Sequence, residues 1–270
     1  MDTNADQGML FADLGDTVEN HAPAEDLRLC SLNVNSPSLA RAQRLVDWLL
    51  SSDRNVLVLT EMQANSGRLI RSILEAHGYR TSCTPGWHES RFHTLIAARG
   101  FEVANVEPGP LDPRVVAVDL TSTASTLRLI GVYGPTNGMT TDSSHHRRTF
   151  QQQLLVYLTS IRRPGLCVVG DLNVIEPDHR PPLPAFEEHD YAFYRGLIDL
   201  GLHDAYRACH PHGNEHSWFS SVYGSQRLDH ALISPTITLR KCVYDHSTRH
   251  QGLSDHAAIN LVTELTENDV

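Results

Sequence analysis

Six segments of the chain end short apolar runs in residues that can hold a hard cation or move a proton. Leu29-Cys30-Ser31-Leu32 leads into Asn33 and Asn35, Val56–Thr60 into Glu61, and Ile130-Gly131-Val132 into Tyr133. Val168-Val169-Gly170 leads into Asp171 and Asn173, Asp229 follows Arg227-Leu228, and Asp255-His256 precedes the last apolar run. Taken singly, an Asp or Asn at a strand end is a turn former. Taken together, these groups suit one task. Carboxylate and amide oxygens suit Mg²⁺, and no thiolate cluster is available for zinc.

The apolar runs are short and rich in β-branched residues, which reads as strands over 27–34, 55–60, 94–98, 115–120, 126–133, 166–170, 227–233 and 257–262. Helical spacing separates some of them. Ser38 is placed to cap a helix through Leu39, Leu45 and Leu49, and Ser66 one through Leu69, Ile70 and Leu74 that Gly78 ends. A third runs from Phe150 to Ile161, and a fourth from Tyr191 to Ile198, ended by Gly201. Strands outnumber helices, and helices fall between groups of strands rather than after each one. That order predicts an α/β protein with mixed sheets and outer helices, not a barrel of strict βα repeats.

With 270 residues, 40% of them hydrophobic and 20% charged, the chain can bury a large core. Its net charge of −10 argues at first against a polyanionic partner. The acidity is uneven, however: residues 1–26 hold seven acidic side chains and no basic one, leaving the rest at −3. The expected organisation is therefore an acidic flexible tail over 1–26 and a single catalytic domain over 27–270. Five scattered cysteines without a CxxC pair read as thiols of a reducing compartment, and no secretory leader or apolar span is evident, so the expected location is cytoplasmic. The histidines of 210–216 match no zinc spacing and read as an unliganded loop, as do His145 and His146.

In their order, LNVN (32–35), VLTE (58–61), VYGPTN (132–137), GDLN (170–173), RLD (227–229) and SDH (254–256) resemble the endonuclease/exonuclease/phosphatase superfamily. Gly201-Leu202-His203-Asp204-Ala205-Tyr206-Arg207 and Ser217-Trp218-Phe219 are similar to its exonuclease III-like AP endonuclease branch. The resemblance implies a four-layer α/β/β/α sandwich of two mixed β-sheets flanked by helices, and hydrolysis of a phosphate ester by an activated water. It implies that Glu61 is the main Mg²⁺ ligand, with Asn35 beside it and Asp255 completing the metal region, and Mn²⁺ as a possible substitute. Asp229 would orient His256 toward the scissile phosphate. Asp171 would position or deprotonate the water, or protonate the leaving oxygen. Asn33, Asn173 and Tyr133 would donate to phosphate oxygens, and Trp218 would line a sugar pocket.

Departures from that pattern bear on the substrate. Where DNA-acting members carry Thr-Lys after the metal Glu, this chain has Met62-Gln63, and the stretch between Trp218 and Arg227 is short. Gln63 and Arg91 are candidate substrate contacts, with Arg68 and Arg71 as further cations, while Arg147-Arg148 reads as a solvated helix start. The expected substrate is DNA, as a duplex with a lesion or a 3′ end. The alternative is a small phosphate ester such as an inositol phosphate, a nucleotide or a lipid headgroup. A non-catalytic binding module is disfavoured because every catalytic position is occupied. In the tail, Gln7, Leu10 and Phe11 resemble the short peptide with which bacterial repair proteins dock on the sliding clamp.

Overall fold

The computed structural model describes residues 25–265 except 108, 110, 112, 124 and 137–139; the clamp-like Gln7, Leu10 and Phe11 lie outside that range. In chain order the elements are β1 (Glu25–Asn33), α1 (Leu39–Leu50), β2 (Val56–Met62), α2 (Ala64–Ala76), β3 (Arg80–Ser82), β4 (His93–Ala98), β5 (Glu102–Asn105), β6 (Val115–Thr121) and β7 (Thr126–Tyr133). They continue with α3 (Thr141–Ser160), β8 (Leu166–Asp171), α4 (Glu188–Asp199), β9 (His203–Asp204), α5 (Ala205–Cys209), β10 (Trp218–Ser220), β11 (Gly224–Gln226), β12 (Asp229–Ile233), β13 (Thr238–Asp245), α6 (Ser247–His250) and β14 (Ala258–Leu265).

Two six-stranded mixed sheets result, ordered β13-β14-β1-β2-β4-β3 and β5-β6-β7-β8-β12-β9, with β10 and β11 forming a separate hairpin. Each large sheet has a parallel pair within it, β1–β2 and β7–β8, whose crossovers carry α1 and α3. Alternation along each strand sorts side chains into layers. On β2, Val56 and Val58 pack between the sheets while Leu57 and Leu59 pack under α1 and α2. On β8, Cys167 and Val169 point inward while Leu166 and Val168 meet α3 and α4. Helix, sheet, sheet and helix layers are thus separated by three apolar cores. Gly131 lets the sheets approach, since a Cβ there would stand 2.8 Å from Val58 Cγ1 across the interface.

The same alternation places the polar groups. Leu27 and Leu29 of β1 face the inter-sheet core, and Asn33 continues their row. Leu127 and Leu129 lead to Tyr133, Cys167 and Val169 to Asp171, and Ile233 and Ala231 to Asp229. The polar cluster therefore caps one end of the inter-sheet core. Register aligns it: Asp171 stands opposite Tyr133 on one side and Asp229 on the other.

Three local readings need correction. Helix α2 begins at Ala64, and Ser66 donates its hydroxyl to the Gln63 carbonyl instead of capping. His145 and His146 lie within α3, because Thr140 and Ser143 form a capping box well before Phe150. That early start puts Arg147 on the inward stripe with Phe150, Gln151 and Leu154, so it is buried rather than solvated. Its guanidinium meets buried Asp190 of α4 at 2.5 Å. Among the described residues no helix is long and apolar enough to cross a membrane.

Candidate active site

Glu61 enters the site through a distortion of β2. The β2–β4 register shifts between Leu59 and Met62, and Glu61 adopts φ 56°, a left-handed conformation uncommon for a side chain of its type. Asn35, Ser36 and Asn173 also have positive φ, at 48°, 45° and 51°. Among the described residues these four are the only non-glycines so strained, and all lie at the polar end of the core. Such concentration of strain marks sites where geometry serves chemistry.

The side chains form one network. Asn33 Nδ2 donates to Glu61 Oε2 at 3.0 Å and to Asp171 Oδ2 at 2.8 Å, and Ser36 Oγ donates to Glu61 Oε1 at 3.1 Å. Asp171 also accepts from the Asn173 backbone N–H at 3.0 Å and from Asn173 Nδ2 at 3.2 Å. His256 Nδ1 pairs with Asp229 Oδ2 at 2.7 Å, and its Nε2 stands 4.0 Å from Asp171 Oδ2. Trp218 Nε1 donates to Asp255 Oδ2 at 2.9 Å, and the Trp218 backbone bridges to His256. Asn35 joins through the chain: its N–H donates to Asn33 Oδ1 at 2.8 Å, and its carbonyl accepts from Arg41.

Electrostatics divides the cluster. Burial and then the neighbouring Asp229 charge push the Asp171 carboxyl up to about 7, against partial relief from His256, Asn33 and Asn173. Burial would lower His256, but the charge and hydrogen bond of Asp229, with help from Asp171, raise it to about 10. The imidazole is therefore a cation at neutral pH, donating to Asp229. Burial, then the charges of Glu61 and Asp171, raise the Tyr133 phenol, which stays a protonated donor.

Asp171, Asp229 and His256 bring ligand atoms within 4.8 Å of one another, a group that could hold a cation. The basicity of His256 opposes ligation there, since a metal needs the neutral imidazole. Asp255 Oδ1 is a further candidate: like Asp229 Oδ1, it is buried and has no hydrogen-bond partner among the described residues. Glu61 and Asp255 thus present hard oxygens with open coordination capacity.

Of the residues singled out from sequence, Asn33, Glu61, Tyr133, Asp171, Asn173, Asp229, Asp255, His256 and Trp218 come together. Arg91 reaches the rim, its guanidinium 4.8 Å over Phe92, whose ring meets Tyr133 edge-on at 5.8 Å. Gln63 lies exposed at the start of α2, its carbonyl accepting from Gly67 N–H at 2.7 Å. Arg71 pairs with Glu75 of its own helix at 2.8 Å.

Other participants escaped notice. Arg114 stacks over Tyr133 at 4.8 Å; no sequence signal marks it. Ser217 Oγ accepts from the Leu228 and Asp229 backbone N–H groups at 3.0 Å, fixing the start of β12. Ser254 Oγ donates to the Asn33 carbonyl at 2.6 Å and accepts from His256 N–H at 3.1 Å. Ser36 follows Asn35 directly, and the other two serines sit inside recognised motifs, so adjacency was the available signal. Behind β12, buried Glu176 grips Arg227 at 2.7 and 3.1 Å and also binds Arg207, while Arg227 reaches Asp204 at 2.8 Å. Burial alone would raise Glu176, yet the hydrogen bond of Arg207 and the charge of Arg227 hold it at about 2.

Known proteins share this arrangement of strands. A 3′-5′ exonuclease from Neisseria meningitidis is 25% identical, with a TM-score of 0.73 over 88% of this chain and 99% of its own. A 3′ phosphatase from Neisseria, bound to a product DNA hairpin, is 22% identical with a TM-score of 0.73 over the same shares. An AP endonuclease from Archaeoglobus fulgidus is 20% identical with a TM-score of 0.75, again over 88% of this chain and 99% of the other. No curated protein sequence matches the chain. The model of the Endonuclease/Exonuclease/phosphatase family matches residues 30–256, which span all of the polar cluster just described, and the chain belongs to that family of phosphoric ester hydrolases.

Proposed function

We propose that the protein is a Mg²⁺-dependent phosphodiesterase acting on DNA, cutting at abasic sites or trimming 3′ ends. The observation that carries this reading is the position of Asp171. One carboxylate, held near neutrality, lies between an oxygen-rich lobe (Glu61, Asn33) and an imidazolium lobe (His256–Asp229). Phosphodiester hydrolysis needs charge neutralised on the phosphate oxygens and a water aligned opposite the leaving group. His256 and Tyr133 supply donors for the phosphate. Asp171 is poised to take or give a proton near pH 7. Asn33 and Asn173 orient that carboxylate and would donate to a bound phosphate.

The residues fit a divalent ion. Glu61 and Asp255, with Asn35 beside them, would hold it, and the buried Asp255 Oδ1, without a partner among the described residues, is a donor left open for one. Bound there, Mg²⁺ would supply Lewis acidity to the phosphate and lower the pKa of a coordinated water. The similarity to a 3′-5′ exonuclease and to a 3′ phosphatase bound to a product DNA hairpin, together with the arginines at the rim, Arg91 and Arg114, favours DNA over a small ester.

The test compares a duplex bearing one abasic-site analogue, a duplex with free 3′ ends and a panel of small phosphate esters, with EDTA and then excess Mg²⁺. Cleavage of DNA that EDTA stops and Mg²⁺ restores is expected. Turnover of a small ester alone would overturn the reading.

A further inference from the structure

The β10–β11 hairpin carries surface that the hydrolytic chemistry leaves unused. Trp218, its first residue, faces Asp255 and His256. Two hydrogen bonds then fix its tip: Ser220 Oγ accepts from both the Val222 and Tyr223 N–H groups at 3.1 Å. That preorganised tip is apolar and open, with Val222 77% and Tyr223 60% exposed, and Phe219 beside it is 41% exposed. Arg249 of α6 lies 3.4 Å over the Phe219 ring. Its Nε and Nη1 face the protein without a hydrogen-bond partner among the described residues, which leaves Nη2 as the nitrogen an outside ligand can reach.

Three-residue strands carry the tip about 10 Å beyond Trp218, within a few nucleotide steps of the site. An apolar tip gains little in a groove walled by phosphates. It gains most against the flat face of a base, and base–aromatic stacking is indifferent to sequence. In continuous duplex those faces are covered, and exposing one means unstacking a step. At a DNA end one face is already free. Resting on the DNA reading above, we propose that Val222 and Tyr223 stack on the exposed face of a terminal base pair while Arg249 engages a backbone phosphate beside it. The hairpin then directs the enzyme to DNA ends rather than to the interior of intact duplex.

The experiment uses the full chain in EDTA with two DNA probes carrying 2-aminopurine. One is a hairpin duplex with the fluorophore in the pair at its single blunt end; the other is a covalently closed dumbbell with the fluorophore at its centre. Wild-type protein should change the fluorescence of the end probe and leave that of the dumbbell unaltered. The double variant Val222→Ser/Tyr223→Ser should abolish the end signal and weaken end binding about tenfold, the weight of one base–aromatic stack. Its hydrolysis of bis(p-nitrophenyl) phosphate with Mg²⁺ should match wild type. Arg249→Gln should lower the slope of log binding constant against log salt by about one. A retained end signal in the double variant, an equal signal from the dumbbell, or an unchanged salt slope in Arg249→Gln would overturn the proposal. Wild-type protein that binds neither probe yet hydrolyses the small ester would instead refute DNA as the substrate.

Discussion

Asn33 holds two carboxylates with one amide: its Nδ2 stands 2.8 Å from Asp171 Oδ2 and 3.0 Å from Glu61 Oε2. The two acids come from different sheets, Glu61 from the first and Asp171 from the second. A single side chain therefore sets the spacing of Glu61 from Asp171. Asn33→Ala should lower kcat on a DNA substrate by on the order of 10²–10³, the usual effect of removing one oriented donor from such a site. Asn33→Asp should be at least as damaging, because it adds a third carboxylate where a donor stood. Steady-state kinetics with Mg²⁺ in excess measures both, and rates near wild type would show that Asn33 does not set this geometry.

Asp171 makes the pH dependence specific. Its folded value of about 7 lies above the ordinary carboxyl range, so the protonated form is favoured on folding. Stability from this group is complete below the unfolded value and is lost as pH rises through about 7. Asp171→Asn should thus raise Tm relative to wild type at pH 8 and have little effect at pH 4, as calorimetry can show. The same variant should lose nearly all turnover. If Asp171 serves as the base, wild-type kcat/KM climbs with pH through the neutral region.

The proposed metal binding at Glu61 and Asp255 would have an optical reporter. Trp218 donates its indole N–H to Asp255 Oδ2, the oxygen beside the unpartnered Oδ1. Mg²⁺ titrated into the EDTA-treated protein should change tryptophan emission. The change should vanish in Trp218→Phe, which removes the reporter, and in Glu61→Ala, which removes a ligand. A full signal in Glu61→Ala would move the ion away from Glu61.

The strands that proved legible are those buried on both faces. β7, β8 and β12 read as continuous apolar runs because helices cover one side and the opposite sheet the other. β13 did not, since Thr238-Leu239-Arg240-Lys241 alternates at an exposed edge and carries a bulge. The candidate site was legible for a related reason: the polar residue that interrupts an inward-facing row is conspicuous, as Asp171 is after Val169. Arg114 and Glu176 were not, because each sits in a loop with no periodicity, and only the fold brings them to Tyr133 and to Arg227. Arg147 shows the converse, since its burial follows from a helix start that capping residues, not apolar ones, determine.

Glu176 supports the site from behind. It neutralises Arg227, which is fully buried and stands two residues before Asp229. Removing one partner of a buried pair leaves an uncompensated charge, at a cost of roughly 3–5 kcal/mol. Arg207 and Asp204 complicate the balance. In Glu176→Ala, Arg227 keeps Asp204 but gains the unrelieved repulsion of Arg207, so destabilisation toward the upper end of that range is expected in urea unfolding. Glu176→Gln preserves the hydrogen-bonding shape without the charge and should fall between. Because Asp229 is fixed by Ser217 as well as by this network, the His256–Asp229 pair should survive in the folded fraction, leaving KM near wild type. A loss confined to kcat, with unchanged stability, would mean that Glu176 acts on the chemistry rather than on the scaffold.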